Sequence, residues 1–79
     1  MKIINYYEAR GEELLPPMPG GLTHIAKMYV EANIDGKNQR ISPLGEAWGA
    51  SKKDAEKKAT EAFLAWVKEN DYVLKRDLD

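Results

Sequence analysis

Ala55, Ala59, Ala62, Phe63 and Trp66 fall on one arc of a helical wheel, and that arc constrains the fold more than any other feature of the chain. Alanines bring little apolar area of their own. They suit a helix laid close against a sheet, with Phe63 and Trp66 filling the space at the far end. Ser51 stands where a helix N-cap belongs, and Asp54 three positions on gives an S-x-x-D pattern close to a capping box. The helix is expected to run from this cap to about Asn70.

The sheet such a helix needs is visible just upstream. Met28, Val30, Ala32 and Ile34 alternate with Tyr29, Glu31 and Asn33, the period-two signature of a half-buried strand starting near Lys27. Asp35-Gly36 follows as a hairpin turn signal. KNQRISPL (37–44) reads as an extended hairpin tip, and GEAWGA (45–50) as the returning strand. Alternation puts Gly45, Ala47 and Gly49 on one face of that strand, towards the helix, and Glu46, Trp48 and Ala50 on the other.

The first segment, KIINYYEAR (2–10), carries Ile3, Tyr6, Tyr7 and Arg10 at helical spacing and predicts a short helix closed by Gly11. GEELLPPMPGG (11–21), with three prolines and three glycines, reads as a loop holding at most a short edge strand. YVLKRDLD is expected to fray. The order of elements gives an α+β fold: αβββα, a three-stranded antiparallel sheet with two helices packed on one face, forming a single domain over 1–79.

Composition removes several classes of function. The chain has no cysteine, so thiolate metal sites, disulfides and cysteine nucleophiles are excluded. Its one histidine, His24, has no nucleophile elbow around it, and the carboxylates are scattered rather than clustered. No catalytic residue, metal or cofactor is expected, and the chain reads as a non-enzyme. No apolar run is long enough to span a membrane, and the first residues lack a signal-peptide core. An intracellular protein, cytoplasmic or nuclear, is the expectation.

With a formal net charge of −1 the chain as a whole has no general attraction for polyanions. Yet Lys52, Lys53, Lys57 and Lys58 crowd the first two turns of the second helix, the end where the helix dipole favours anions. Lys58 follows Asp54 by four residues and is expected to pair with it. That leaves Lys52, Lys53 and Lys57 around free backbone N–H groups, a cluster suited to phosphate.

Here the sequence resembles the double-stranded RNA-binding domain family, the module also found at the end of bacterial ribonuclease III. The resemblance rests on G-x-A-x-G-x-S-K-K-x-A-E-x-x-A-x-x-A-F over Gly45 to Phe63. It extends through V-E-A-x-I-x-G (Val30 to Gly36), G-L-T-H (Gly21 to His24) and the YYEARG helix ending. It implies sequence-independent binding of duplex RNA through shape, 2′-hydroxyls and phosphates. By resemblance, Asn5 and Glu8 on the first helix enter one minor groove, and Thr23 and His24 enter the next. Lys52 and Lys53, with Lys57 as substitute for a third lysine, bridge the major-groove phosphates between them. Departures from the pattern are Glu56 at that third lysine position, Leu22 in place of a proline, and Ile4 at an often polar position.

Two alternatives stand beside this reading: a module of the same fold used for protein interaction or dimerisation, and an accessory module of a larger RNA enzyme. Trp48 and Tyr29 share a parity facing away from the helices. They are the expected anchor for a protein partner or homodimer on the open sheet face.

Overall fold

The computed structural model describes residues 1–41 and 45–78. In chain order these form β1 (Lys2–Met18), β2 (Leu22–Ile34), β3 (Lys37–Arg40), β4 (Glu46–Gly49), α1 (Lys52–Glu69), β5 (Val73–Leu74) and a 3-10 turn, Lys75–Leu78. The expected αβββα arrangement is replaced, among the described residues, by a five-stranded sheet and a single α-helix. The Ser42–Leu44 part of the expected hairpin tip lies outside the described residues, as does the last residue of the tail.

The first expected helix is a strand, and a β-bulge explains the misleading spacing. β1 and β2 form a long antiparallel hairpin that pairs Lys2 with Ile34 and Glu13 with His24, with a register shift between Ile4 and Tyr6. Asn5 is the extra residue. It puts Ile4 and Tyr7 on the same face, three positions apart, which imitates a helical stripe. The β-branched and aromatic residues Ile3, Ile4, Tyr6 and Tyr7 suit a pleated strand in any case.

The glycine- and proline-rich stretch is likewise strand rather than loop as far as Met18. The chain reverses at Gly20 and Gly21, whose φ values of 86° and 78° are open to glycine without strain. This hairpin end makes the molecule elongated, 43 × 19 × 18 Å. β2 accordingly begins at Leu22, five residues before the alternation becomes obvious.

β2 is the spine of the sheet. One of its edges holds β1 throughout; the other holds β3 at the Ile34 end and β4 at the His24 end. The turn into β3 has positive φ at both Asp35 (52°) and Gly36 (87°), the geometry an Asp-Gly hairpin turn requires. β5 adds in parallel to the outer edge of β1 at Ile3 and Ile4, so the expected frayed tail contributes a short strand and a helical turn.

Alternation along β2 decides the core. Ala26, Met28, Val30 and Ala32 are at most 1 % exposed and face α1, which returns Ala55, Ala59, Phe63 and Val67. The helix is therefore rotated slightly from the expected arc: Val67 is buried, Ala62 is exposed, and Trp66 is half-buried at the margin. Tyr7, Phe63, Trp66 and Tyr72 form an aromatic row, with successive ring centroids 5.1, 6.2 and 4.8 Å apart. Helix α1 ends in a Schellman-type cap. Asp71 takes a positive φ of 59°, and the Tyr72 N–H reaches the Val67 carbonyl at 3.0 Å.

Candidate nucleic-acid interface

The start of α1 is held over β4 by small residues and by its own cap. A Cβ on Gly49 would stand 2.5 Å from the Ala55 nitrogen, so only glycine lets the helix come this close to the strand. Ser51 Oγ accepts the Asp54 N–H at 3.1 Å, as the S-x-x-D pattern predicts. The Asp54 carboxylate reaches back to the Ala50 N–H at 3.1 Å and forward to Lys58 Nζ at 3.0 Å. Lys58 and the Ala50 N–H together hold the Asp54 carboxyl below its ordinary pKa.

Lys58 is thus committed, as the acid-then-base spacing implies. Lys52, Lys53 and Lys57 are exposed, and none of them makes an ion pair among the described residues. Glu56, the residue that breaks the lysine pattern of the resembled family, lies with the Lys52 stem over Gly11. Its carboxylate accepts the Gly11 N–H on the edge of β1 at 2.9 Å. Sequence reasoning did not find this contact; a glycine inside a strand was its only signal.

Thr23 and His24 are brought to the same place. β2 pairs His24 with Gly49, and the Thr23 hydroxyl donates to the Ala50 carbonyl, one residue before the helix cap, at 3.0 Å. His24 Nδ1 lies 2.7 Å from the Thr23 oxygen. Because the single hydroxyl proton is given to Ala50, Nδ1 donates in this pair. Nε2 is then left as an acceptor on the neutral ring or a second donor on the charged one. Two half-buried polar side chains therefore lie beside the cap of the helix that carries these lysines.

Asn5 and Glu8 are elsewhere. They lie on β1 and face the side of the sheet opposite α1. Asn5 Nδ2 donates to Asn38 Oδ1 at 3.1 Å, and Glu8 pairs with Arg10 and accepts the Tyr6 hydroxyl. Their expected role on a first helix is corrected by the absence of that helix. The Tyr6 and Arg10 hydrogen bonds hold the Glu8 carboxyl below its ordinary pKa, while Glu8 raises that of Tyr6. Asn5 and Glu8 are thus engaged on the open face and not at the start of α1.

The open face also carries Trp48 and Tyr29, as their parity predicts, but not as a pair. Trp48 stands opposite Ile25, whereas Tyr29 stands opposite Glu8, two same-face positions further along β2. The Arg10 guanidinium covers the Tyr29 ring at 4.2 Å. Among the described residues, only Trp48 of the two is without a cationic cover.

Among the described residues no group of three or more His, Asp or Glu side chains could hold a metal ion, and no helix is long and apolar enough to cross a membrane. No protein-family model matches the chain, and no curated protein or solved structure is significantly similar to it.

Proposed function

We propose that this chain is a non-catalytic module that binds double-stranded RNA through the phosphate backbone, independently of base sequence. Lys52, Lys53 and Lys57 supply the charge. Thr23 and His24, bordering the same helix start, supply hydrogen-bonding groups for a 2′-hydroxyl or a neighbouring phosphate oxygen. The observation that carries this reading is the Thr23–Ala50 hydrogen bond, which joins the polar strand end to the lysine-bearing helix start as one surface. The S-K-K-x-A-E-x-x-A resemblance supports it independently.

The contact set is smaller than the resembled family uses, because Asn5 and Glu8 face the other way. Charge then dominates over groove reading, so the preference for RNA over DNA is expected to be modest. The test is a gel shift with a duplex of about 20 base pairs, as RNA and as DNA, against the wild type and the Lys52→Glu/Lys53→Glu variant. Tighter binding of RNA, nearly abolished in the variant, supports the reading. Equal affinity for the two duplexes, or unchanged binding by the variant, overturns it.

A further inference from the structure

The outer edge of β1 is the one long stretch of sheet edge, among the described residues, whose neighbour is missing. β5 occupies it only at Ile3 and Ile4, and from Tyr7 to Met18 it pairs with no strand among those residues. The Gly11 N–H points outward to Glu56, so the alternation of an antiparallel strand turns the backbone groups of Tyr7, Ala9 and Glu13 outward as well. An edge of this kind is a template for another strand. The sequence along it chooses which strand.

We infer that the occupant is β1 of a second copy, paired antiparallel about a two-fold axis at Gly11. In that register Arg10 stands opposite Glu12 of the second copy, and Glu12 opposite its Arg10. Ala9 faces Glu13, Glu8 faces Leu14, and Tyr7 faces Leu15, which is 83 % exposed in the single chain. Arg10 and Glu12 both lie on the open face, opposite Lys27 and Ile25, so each cross-strand pair meets on the same side of the joined sheet.

Neighbouring registers fail on charge or on space. Sliding by two residues in one direction sets Arg10 against Arg10 and Glu8 against Glu12. Sliding by two in the other sets Glu12 against Glu12, and by four sets Glu13 against Glu13. Sliding back by four does pair Arg10 with Glu8, but it leaves only Tyr7 to Gly11 of each copy to pair clear of β5, against Tyr7 to Leu15 in the register centred on Gly11. Of the two registers that pair opposite charges and set no like charges face to face, the one centred on Gly11 gives the longer ladder clear of β5. Gly11 brings no side chain of its own to the axis, and the Lys52 and Glu56 side chains of the same copy lie over it.

Glu56 regulates this edge. In the single chain its carboxylate satisfies the Gly11 N–H, and pairing requires it to release that donor to the Gly11 carbonyl of the second copy. The association is therefore guarded and reversible. Because the axis is normal to the sheet, both α1 helices lie on the same face.

The inference stands apart from RNA binding and is tested without RNA, by sedimentation equilibrium from about 10 µM to 1 mM. Wild type is expected to show a monomer–dimer equilibrium. Arg10→Glu and Glu12→Arg are each expected to weaken it by about tenfold or more, since each sets like charges opposite one another. Mixing the two variants restores association. The carboxylate introduced at position 10 of one chain then meets the guanidinium introduced at position 12 of the other, while the unchanged Glu12 and Arg10 meet each other. Glu56→Ala, which frees the Gly11 donor, is expected to tighten it. Circular dichroism separates loss of pairing from loss of fold, and exposed Glu12 carries the test alone if Arg10→Glu does not fold. A wild type that stays monomeric at 1 mM, single variants that dimerise as well as wild type, or folded variants that fail to associate on mixing each overturn the inference.

Discussion

The Glu56 carboxylate accepts the Gly11 N–H at 2.9 Å, and this bond ties the second turn of α1 to the edge strand of the sheet. It explains an acidic residue in the middle of a lysine cluster. A charge that would oppose phosphate binding is instead committed to a backbone donor that would otherwise lie open on a strand edge.

Glu56→Ala is expected to lower stability by about 1 kcal/mol, the usual net value of such a bond, while Glu56→Gln keeps an acceptor in place and loses less. Urea denaturation at a concentration low enough to keep the chain monomeric measures both. Equal losses for alanine and glutamine would show that the carboxylate's hydrogen bond is not what matters at this position.

Gly49→Ala tests the closeness of helix and sheet. The new Cβ would stand 2.5 Å from the Ala55 nitrogen and 2.6 Å from Asp54 Oδ2, so the start of α1 must move. A loss of about 2–3 kcal/mol is expected, large for a methyl group because both neighbours belong to the helix cap. Gly11→Ala is the contrast. Its Cβ would meet Lys52 Cγ at 2.8 Å and Glu56 Cγ at 3.1 Å, side-chain atoms that can shift where the Ala55 backbone cannot. A thermal midpoint that falls no further for Gly49→Ala than for Gly11→Ala would contradict the close approach.

How far the sequence leads is clear from particular residues. The helix from Ser51, its cap, the Asp54–Lys58 pair and the glycine face of β4 were all legible, because each rests on contacts within a few residues or on a simple period. The Asn5 bulge was not, because a single extra residue turns a strand's alternation into the spacing of a helix. The placement of β5 beside Ile3 and Ile4 depends on a contact across nearly the whole chain, which no local pattern encodes. Of the candidate site, Thr23 and His24 lie beside the cap of the helix whose first two turns carry Lys52, Lys53 and Lys57. Asn5 and Glu8 do not, because their place depended on the missing helix.

Phe63→Ala is expected to cost about 3–5 kcal/mol, since the ring is 3 % exposed and links Tyr7 to Trp66 in the aromatic row. A chain this small has a narrow margin of stability, so the variant is expected to be largely unfolded at 37 °C. A cooperative unfolding transition close to that of wild type would show that the core does not depend on this ring.

The affinity for duplex RNA is expected to fall with salt, with a log–log slope of about −2 to −3 for three lysine–phosphate contacts. Lys57→Ala lowers the magnitude of the slope by about one and weakens binding moderately. Its fold is unaffected, since the side chain is exposed and off the buried face. A slope that stays the same in the variant removes Lys57 from the interface.

Stability should also fall in acid, and Asp54 indicates where. Its carboxyl is held below the ordinary value of 3.8, chiefly by the hydrogen bond from Lys58 and then by the Ala50 N–H. A folded pKa below the unfolded one means that the unfolded chain binds the proton first. The contribution is therefore complete above the unfolded value and is lost as pH falls through the folded one. Glu8, held below 4.5 by Tyr6 and then Arg10, loses its contribution in the same direction. Asp54→Asn retains an oxygen for the Ala50 N–H but no charge for Lys58. It should be less stable than wild type at pH 7, and the two should converge as pH drops from about 5 towards 2. Adding Glu8→Gln flattens the remaining slope. Urea midpoints measured across this range decide the matter: curves for wild type and Asp54→Asn that run parallel down to pH 2 would mean that the Asp54–Lys58 pair contributes nothing to the fold.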